Sequence, residues 1–444
     1  MNQKRALLTI FLVVFLDLVG FGIVIPLFPY YAKTFGTSPK QLGYLLATYS
    51  ALQFLFSPVW GQLSDKWGRR PILLASIAGG ISALLILANA HAVWMLFLGR
   101  ALAGVFGANI SAASAYIADI TDEHNRAKGM GIIGASFGLG FIFGPAIGGI
   151  LSRHSFVTPM YVAAGLSTLN LIFAYFYLKE PPISQDTRQQ NRIKRFSKAG
   201  LKLVFADGRT RTATLTFFLL TLAITQMETM FGLYMLEKFG LSAEKAGYFF
   251  ALMGLVMAII QGGLIGKLSK RFGEINLITM GCLLLCTGYI GFSYAYSLIY
   301  IQIFLCVIAV GSAITNPSLS SLASKGAAEN TKGLTLGIYQ SASSLARVIG
   351  PVMAGYLYQT FSMTTPFRSS GLIAFFAGVL VSIWRIGSTE AMTNALAVLK
   401  TDGFKGLIKR YGWRVAAALF VYYLVRDVTL YVALPWLIAK GFLH

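Results

Sequence analysis

The chain has 444 residues, 56% of them apolar and only 12% charged, and its mean hydropathy is +0.67. Those values exclude an ordinary soluble domain and a disordered chain, and they fit a protein that lives in a bilayer. A net charge of +21 would suit nucleic acid, but its distribution along the chain points to membrane topology, and no nucleic-acid partner is expected.

Apolar runs of roughly 20 to 28 residues, each enough to cross a ~30 Å hydrocarbon core at about 1.5 Å per residue, recur along the whole chain. In order they fall at 6-33, 41-64, 71-90, 92-117, 127-152, 157-178, 210-237, 243-266, 275-295, 297-322, 332-359 and 366-385, with a later one at 412-438. The first is too long for a signal sequence and has no cleavage site, so a retained span is expected. If the N-terminus is cytoplasmic, alternate loops up to residue 385 carry twenty-one Lys and Arg on that side and six on the other, the asymmetry of cytoplasmic loops.

The polar, basic stretch from Lys179-Glu-Pro-Pro onward separates two sets of six spans. The expected domains are a bundle over 1-179, a cytoplasmic linker over 180-209, a second bundle over 210-386 and an appendage over 387-444. The expected fold is all-α: twelve transmembrane helices in two pseudo-symmetric six-helix bundles, plus a C-terminal amphipathic helix and a thirteenth span. In the appendage, 389-411 mixes apolar residues with Lys400, Lys405, Lys409 and Arg410, as a surface helix does. The run 412-438 carries Arg426-Asp427 near its centre, so a re-entrant or peripheral hairpin remains the alternative. Gly387-Ser388 also suits a junction with a segment foreign to the function. Cys282, Cys286 and Cys306 all sit in apolar runs, with neither a disulfide framework nor metal spacing.

The two sets are copies. Gly61-Gln-Leu-Ser-Asp-Lys-Trp-Gly68 returns as Gly266-Lys-Leu-Ser-Lys-Arg-Phe-Gly273 at an offset of 205, Gly144-Pro145 as Gly350-Pro351 at 206, and Asn109-Ile-Ser111 as Asn316-Pro-Ser318 at 207. Duplicated membrane halves are the sequence mark of a secondary transporter with its site between them. Glycines at Gly61 and Gly68 let helix ends approach closely. Asp65 is placed to face the positive N-terminus of a neighbouring helix, and Arg69 and Arg70 to pair with carboxylates or lipid phosphates. In the fifth run, Gly134, Gly138, Gly140, Gly144, Pro145, Gly148 and Gly149 suit backbone-to-backbone packing with a bend at Pro145.

The segment 61-70 resembles the signature loop of the major facilitator superfamily, and Phe137-Gly-Leu-Gly-Phe-Ile-Phe-Gly-Pro-Ala-Ile-Gly-Gly149 resembles the antiporter motif of its drug:proton branch. Leu16-Asp17-Leu-Val-Gly20-Phe-Gly22-Ile-Val-Ile-Pro26, Leu98-Gly-Arg100-Ala-Leu-Ala-Gly104 and Ala118-Asp119-Ile-Thr-Asp-Glu-His-Asn-Arg126 look like motifs of its tetracycline exporters. The resemblance implies a latch at Gly61, Asp65, Gly68, Arg69 and Arg70 that stabilises the outward-facing state, and a hinge at Gly144, Pro145, Gly148 and Gly149. The second copy of the loop has Lys270 where Asp65 stands, so the latch is carried over only for the first half.

Four ionisable residues fall well inside the twelve runs: Asp17, Arg100, Glu228 and Arg347. Charges are costly in hydrocarbon, so each is a candidate for proton coupling. Asp17 and Arg100 lie at similar depths, roughly 16 and 12 Å from opposite starts of their spans, so they suit a pair that protonation would release, or one that simply fixes packing. Arg347 has Glu228 as its candidate partner, and Glu228 suits proton cycling, a cationic substrate or structural hydrogen bonding. Tyr30, Gln53, Asn109, Gln226, Gln261, Asn316 and Gln340 are candidates to line a cavity, each also suited to tying helices together. Aromatics including Phe28, Tyr30 and Tyr49 suit a bulky amphipathic ligand.

The function expected is proton-coupled efflux of hydrophobic or amphipathic small molecules by alternating access, by a monomer in the bacterial inner membrane with membrane lipids around it. Movement of a lipid or lysolipid is the alternative within transport. A non-transporting scaffold or sensor using the tail is the alternative outside it. No Walker loop, nucleophile elbow or metal cluster is present, so neither enzyme chemistry nor a cofactor is expected.

Overall fold

The computed structural model describes residues 3-107, 109-121, 136, 138-140, 142-181, 205-326 and 332-387. Most of the expected linker and the whole appendage after 387, with its surface helix and thirteenth span, lie outside the described residues.

Those residues form helices and turns, with no strand among them. In a bilayer no water is on hand for the backbone, so each crossing segment must satisfy its own N–H and C=O groups. The elements are α1 (Gln3–Val24), α2 (Phe28–Thr34), α3 (Pro39–Trp67), α4 (Arg69–Ala88), α5 (Val93–Phe106) and α6 (Asn109–Ile120). There follow α7 (Gly138–Leu151), α8 (Thr158–Tyr177), α9 (Gly208–Phe239) and α10 (Ala243–Ile259), which runs through a π segment (Ile260–Leu264) into α11 (Ile265–Phe272). Last come α12 (Glu274–Tyr294), α13 (Leu298–Lys325), α14 (Lys332–Thr360) and α15 (Thr365–Gly387). Nine helices among the described residues are long and apolar enough to cross a membrane.

Three runs expected to be single helices are interrupted. Run 6-33 breaks between Val24 and Phe28, where Pro26 lacks an N–H and disfavours helix for Ile25. Run 92-117 breaks after Phe106 at Gly107. The eighth run passes through the π segment at Gln261, and such bulges often mark functional places in helices.

Local signals set the other boundaries. Ser38 and Gln41 form a reciprocal capping box ahead of α3, with Pro39 in the first turn. Gly240 closes α9 in the left-handed conformation. Gly68 (φ +105°) and Gly273 (φ +74°) make the same sharp turn in the two halves, a conformation that side chains disfavour.

Packing relies on small residues, since lipid tails compete with apolar side chains for one another. Ile10, Val13 and Leu18 of α1 pack with Ile72 and Ile77 of α4 and with Ala113, Tyr116 and Ile117 of α6. The most buried helix is α9, in which Thr225 and Thr229 donate to the Thr221 and Thr225 carbonyls at 2.8 and 2.6 Å. Their hydroxyls are thereby satisfied without water.

The two halves meet at one end, that of Ser38, Arg153 and Glu237; the opposite end carries Gly68 and Gly273. Hydrogen bonds, ion pairs and closest glycine approaches described between the halves all lie at the Arg153 end. Lys33 pairs with Glu237 at 2.8 Å, and the other Glu237 oxygen accepts from the Tyr358 hydroxyl at 2.7 Å. Arg153 pairs with Glu244, which also accepts from Tyr248. The Lys40 N–H donates to Gln359 at 3.2 Å. The Glu244 carboxylate raises the Arg153 guanidinium further above its usual range.

Candidate functional site

Three of the four charges expected at mid-depth interact with one phenol, that of Tyr49. Arg100 of α5 is buried, and its guanidinium lies over the rings of Phe28 and Tyr49, 5.0 and 4.7 Å from their centroids. Its Nε has no hydrogen-bond partner. Cation–π contact compensates a desolvated guanidinium without neutralising it. The described ion pairs do not include the couple expected between Asp17 and Arg100; rings hold the guanidinium instead. Tyr49 interacts electrostatically with Arg100, with Asp17 and with Arg347 of the second half. Thus charges from both halves share Tyr49 as a neighbour. Its ring also meets Phe21 at 5.5 Å.

Gln53, expected in the cavity, donates to the Gly107 carbonyl at 2.7 Å and to the Tyr49 hydroxyl at 3.2 Å. It ties α3 to the turn after α5 and holds Tyr49 in place. Tyr30 is buried in α2 beside Phe156, with its hydroxyl unpartnered. A methyl group at Gly232 of α9 would lie 3.0 Å from the Tyr30 ring. That side chain therefore packs where the halves meet.

In the second half, Glu228 is half-buried in α9 and interacts electrostatically with Arg347 of α14 and with Tyr289 of α12. The partnership expected from sequence is thus one of proximity. Gln226 is wholly buried, its Oε1 unpartnered and its amide donating weakly to the Leu222 carbonyl at 3.4 Å. Gln261 is half-buried in the π segment, while Asn316, Gln340 and Arg347 are exposed. Asn109 opens α6, but its side chain lies outside the described residues.

At the Gly68 end the expected latch residues come together, with partners that sequence reasoning missed. Arg69 is buried and pairs with Asp65 at 2.6 Å and with Asp119 of α6 at 2.7 Å, and it donates to Ser64 at 3.0 Å. Asp65 had been expected to face a helix N-terminus. At the N-terminus of α4 it is Glu180 whose two oxygens accept from the Arg69 and Arg70 backbone N–H groups, at 2.6 and 2.9 Å. A carboxylate there satisfies two orphan donors and meets the positive end of the α4 dipole. Arg70 reaches the Tyr175 carbonyl at 2.6 Å, and Gly61 lies within α3. Glu180 had been read as the first residue of a linker; a carboxylate ending a span one step before Pro181 was the available signal. Replacing Glu180 with alanine is expected to lower the melting temperature in detergent by about 1 to 2 °C, the scale of a lost helix cap of ~1 kcal/mol. An unchanged melting curve would show that α4 does not depend on it.

The expected hinge residues make backbone contacts. A methyl group at Gly144 would lie 2.6 Å from Gly22, one at Gly140 2.8 Å from Leu18, and one at Gly148 would meet the Ile23 carbonyl. On the other side of α7, one at Gly149 would lie 3.0 Å from the Glu244 carbonyl. One at Gly247 of α10 would lie 2.6 Å from the Pro145 carbonyl. So α7 touches α1 of its own half along one row of glycines and the second half through Pro145 and Gly149. Gly134 lies outside the described residues.

These features define a helical integral membrane protein in which charges of both sequence repeats interact with Tyr49 and the described ion pairs between the repeats lie at the Arg153 end. A sequence model of the Major Facilitator Superfamily matches residues 10–351, and the chain belongs to that superfamily. It is 32% identical over 369 residues to the class C tetracycline resistance protein of Escherichia coli, covering 82% of this chain and 92% of that protein. It is 28% identical over 403 residues to multidrug resistance protein 2 of Bacillus subtilis (strain 168), covering 88% and 98%. The crystal structure of the human organic anion transporter MFSD10 (TETRAN) matches with a TM-score of 0.64 at 23% identity, over 86% of this chain and 100% of that one. A POT family transporter matches with a TM-score of 0.71 at 15% identity, over 87% and 97%. These two structural likenesses show the fold. The relatives and neighbours named here are resistance proteins and transporters.

Proposed function

We propose that the chain is a proton-coupled exporter of amphipathic small molecules of the tetracycline and multidrug type, working by alternating access. On this reading two six-helix bundles, over 1-179 and 210-386, give twelve crossings. The excess of Lys and Arg in alternate loops supports a cytoplasmic N-terminus and Gly68 end in a bacterial cell. The protein then works as a monomer in the inner membrane, with the ties of Lys33 to Glu237 and of Arg153 to Glu244 favouring closure of the outer end.

One arrangement carries the reading: Tyr49, with the Arg100 guanidinium over its ring, interacts electrostatically with Asp17 of its own half and with Arg347 of the other. A proton on Asp17 changes the field on Arg100 and on a charge in the opposite half, so protonation and rocking of the halves are linked. Glu228 beside Arg347 repeats the logic in the second half. Asn316 and Gln340, exposed in mid-helix, would be costly against lipid, which favours their facing the gap between halves where a substrate binds.

The test uses inside-out vesicles with an imposed proton gradient. Tetracycline or a cationic dye should accumulate and dissipate the gradient, and Asp17→Asn should uncouple the two. Accumulation by Asp17→Asn at the parental rate would remove Asp17 from coupling. Lysolipid movement in place of drug would favour the lipid reading.

A further inference from the structure

The second copy of the Gly68 loop, with Lys270 in the place of Asp65, reads in sequence as a degenerate latch. The structure shows an intact pair there. Glu274, the first residue of α12, accepts from Lys325 at the end of α13 at 2.7 Å and also from Ser321. Arg69, the first residue of α4, pairs with Asp119 near the end of α6. The two pairs occupy the same places in the repeat, since Arg69 and Glu274 are 205 residues apart and Asp119 and Lys325 are 206 apart. Gly68 and Gly273 precede them with matching backbone, at φ, ψ of 105°, 162° and 74°, 158°. The signs invert together at three places, with Asp65, Arg69 and Asp119 corresponding to Lys270, Glu274 and Lys325, while the described ion pairs include Asp65 with Arg69 and Lys325 with Glu274 but none of Lys270 with Glu274.

Joint inversion has a physical logic. Attraction between two charges survives exchange of their signs, whereas attraction to a helix terminus does not. In the first half the cation Arg69 stands at the positive end of α4, and Glu180 must come from the end of α8 to satisfy the N–H groups. In the second half the anion Glu274 stands in the first turn of α12, where its charge is favourable to the positive end of the helix. At an offset of 206, the position matching Glu180 is Ile386, an apolar residue. The extra carboxylate has been dispensed with where inversion removes the need for it.

We propose that Glu274, with Lys325, forms a second, charge-inverted latch at the same end as the first. Glu274 acts as a positioning residue that stabilises closure of that end. Its side chain is 13% exposed while that of Lys325 is 62% exposed, so a shielded carboxylate meets a solvent-facing ammonium, and a change at either can bias an equilibrium between two states. The proposal rests on the alternating-access reading above.

The test replaces Cys282, Cys286 and Cys306 with alanine and introduces Tyr30→Cys at the Arg153 end, where the side chain is buried until that end opens. Labelling by a membrane-impermeant maleimide then reports how often the opposite, Gly68 end is closed. Glu274→Lys and Lys325→Glu should each slow labelling by roughly tenfold, within the range of couplings seen in double-mutant cycles. The combined Glu274→Lys and Lys325→Glu variant should return to within about twofold of the parent. Rates are read on the monodisperse folded fraction, so a purely structural role would reduce yield and leave the rate unchanged. Parental rates in both single variants, or a combined variant as slow as they are, would overturn the second latch. Labelling needs no substrate, so a parent that transports nothing would defeat the functional reading while leaving this measurement intact.

Discussion

Arg100→Leu should abolish proton-driven accumulation in inside-out vesicles, with at least a roughly hundredfold loss, the scale of removing one member of a buried charge set. The guanidinium is buried between Phe28 and Tyr49 and is the cation nearest the phenol. Leucine fills much of the volume but leaves Asp17 and Tyr49 without that charge. Arg100→Lys should recover little, because an ammonium is a compact, strongly hydrated charge that cannot lie flat across two rings. Tyr49→Phe, which keeps the ring and loses the Gln53 hydrogen bond, should retain most activity, whereas Tyr49→Leu should not. The measurement is initial accumulation rate against protein in the membrane. Full activity of Arg100→Lys would show that charge alone suffices and that the ring contacts are incidental.

The second large effect concerns the joined end. A methyl group at Gly355 of α14 would lie 2.5 Å from the Pro39 carbonyl and 3.1 Å from Lys40 Cα. One at Gly43 would meet the Pro351 carbonyl in return. Each half thus offers a glycine to the proline of the other, and backbone cannot yield as a flexible side chain does. Gly355→Ala should destabilise closure by about 1 to 3 kcal/mol, the usual cost of overpacking. That shifts the population toward opening at the Arg153 end by at least about fivefold. Faster labelling of Tyr30→Cys reads the change. Gly165→Ala on α8, where a methyl group would meet nothing within 4 Å, is the control and should leave the rate unchanged. If Gly355→Ala labels no faster than that control, the glycine and proline contact does not hold the end shut.

Much of the architecture was legible from hydropathy because a bilayer allows few backbone solutions. Every one of the runs from 6-33 to 366-385 contains a described helix. The three interruptions were harder to read, since Pro26 and Gly107 sit inside apolar stretches that hydropathy averages over. The Gly68 loop and the glycines of α7 were legible for a different reason: close approach demands glycine whatever the partner, so the requirement is written at a single position. Glu180 and Asp119 were overlooked because their value depends on an arginine 111 and 50 residues away.

The sequence by itself determined that this chain is a duplicated, helical membrane protein, because periodic burial and a fixed repeat offset are properties of one dimension. It also singled out Asp17, Arg100, Glu228 and Arg347, because an ion inside hydrocarbon is costly wherever its partner lies. Only the tertiary structure decided what meets those ions. Arg100 lies on the rings of Phe28 and Tyr49, and Glu180 accepts from the first N–H groups of α4. Glu274 and Lys325 close a pair where the repeat had looked broken. The physical reason is the same in each case: a Coulomb or cation–π contact is decided over a few ångströms between residues far apart in the chain. That distance is set by how helices pack through small residues.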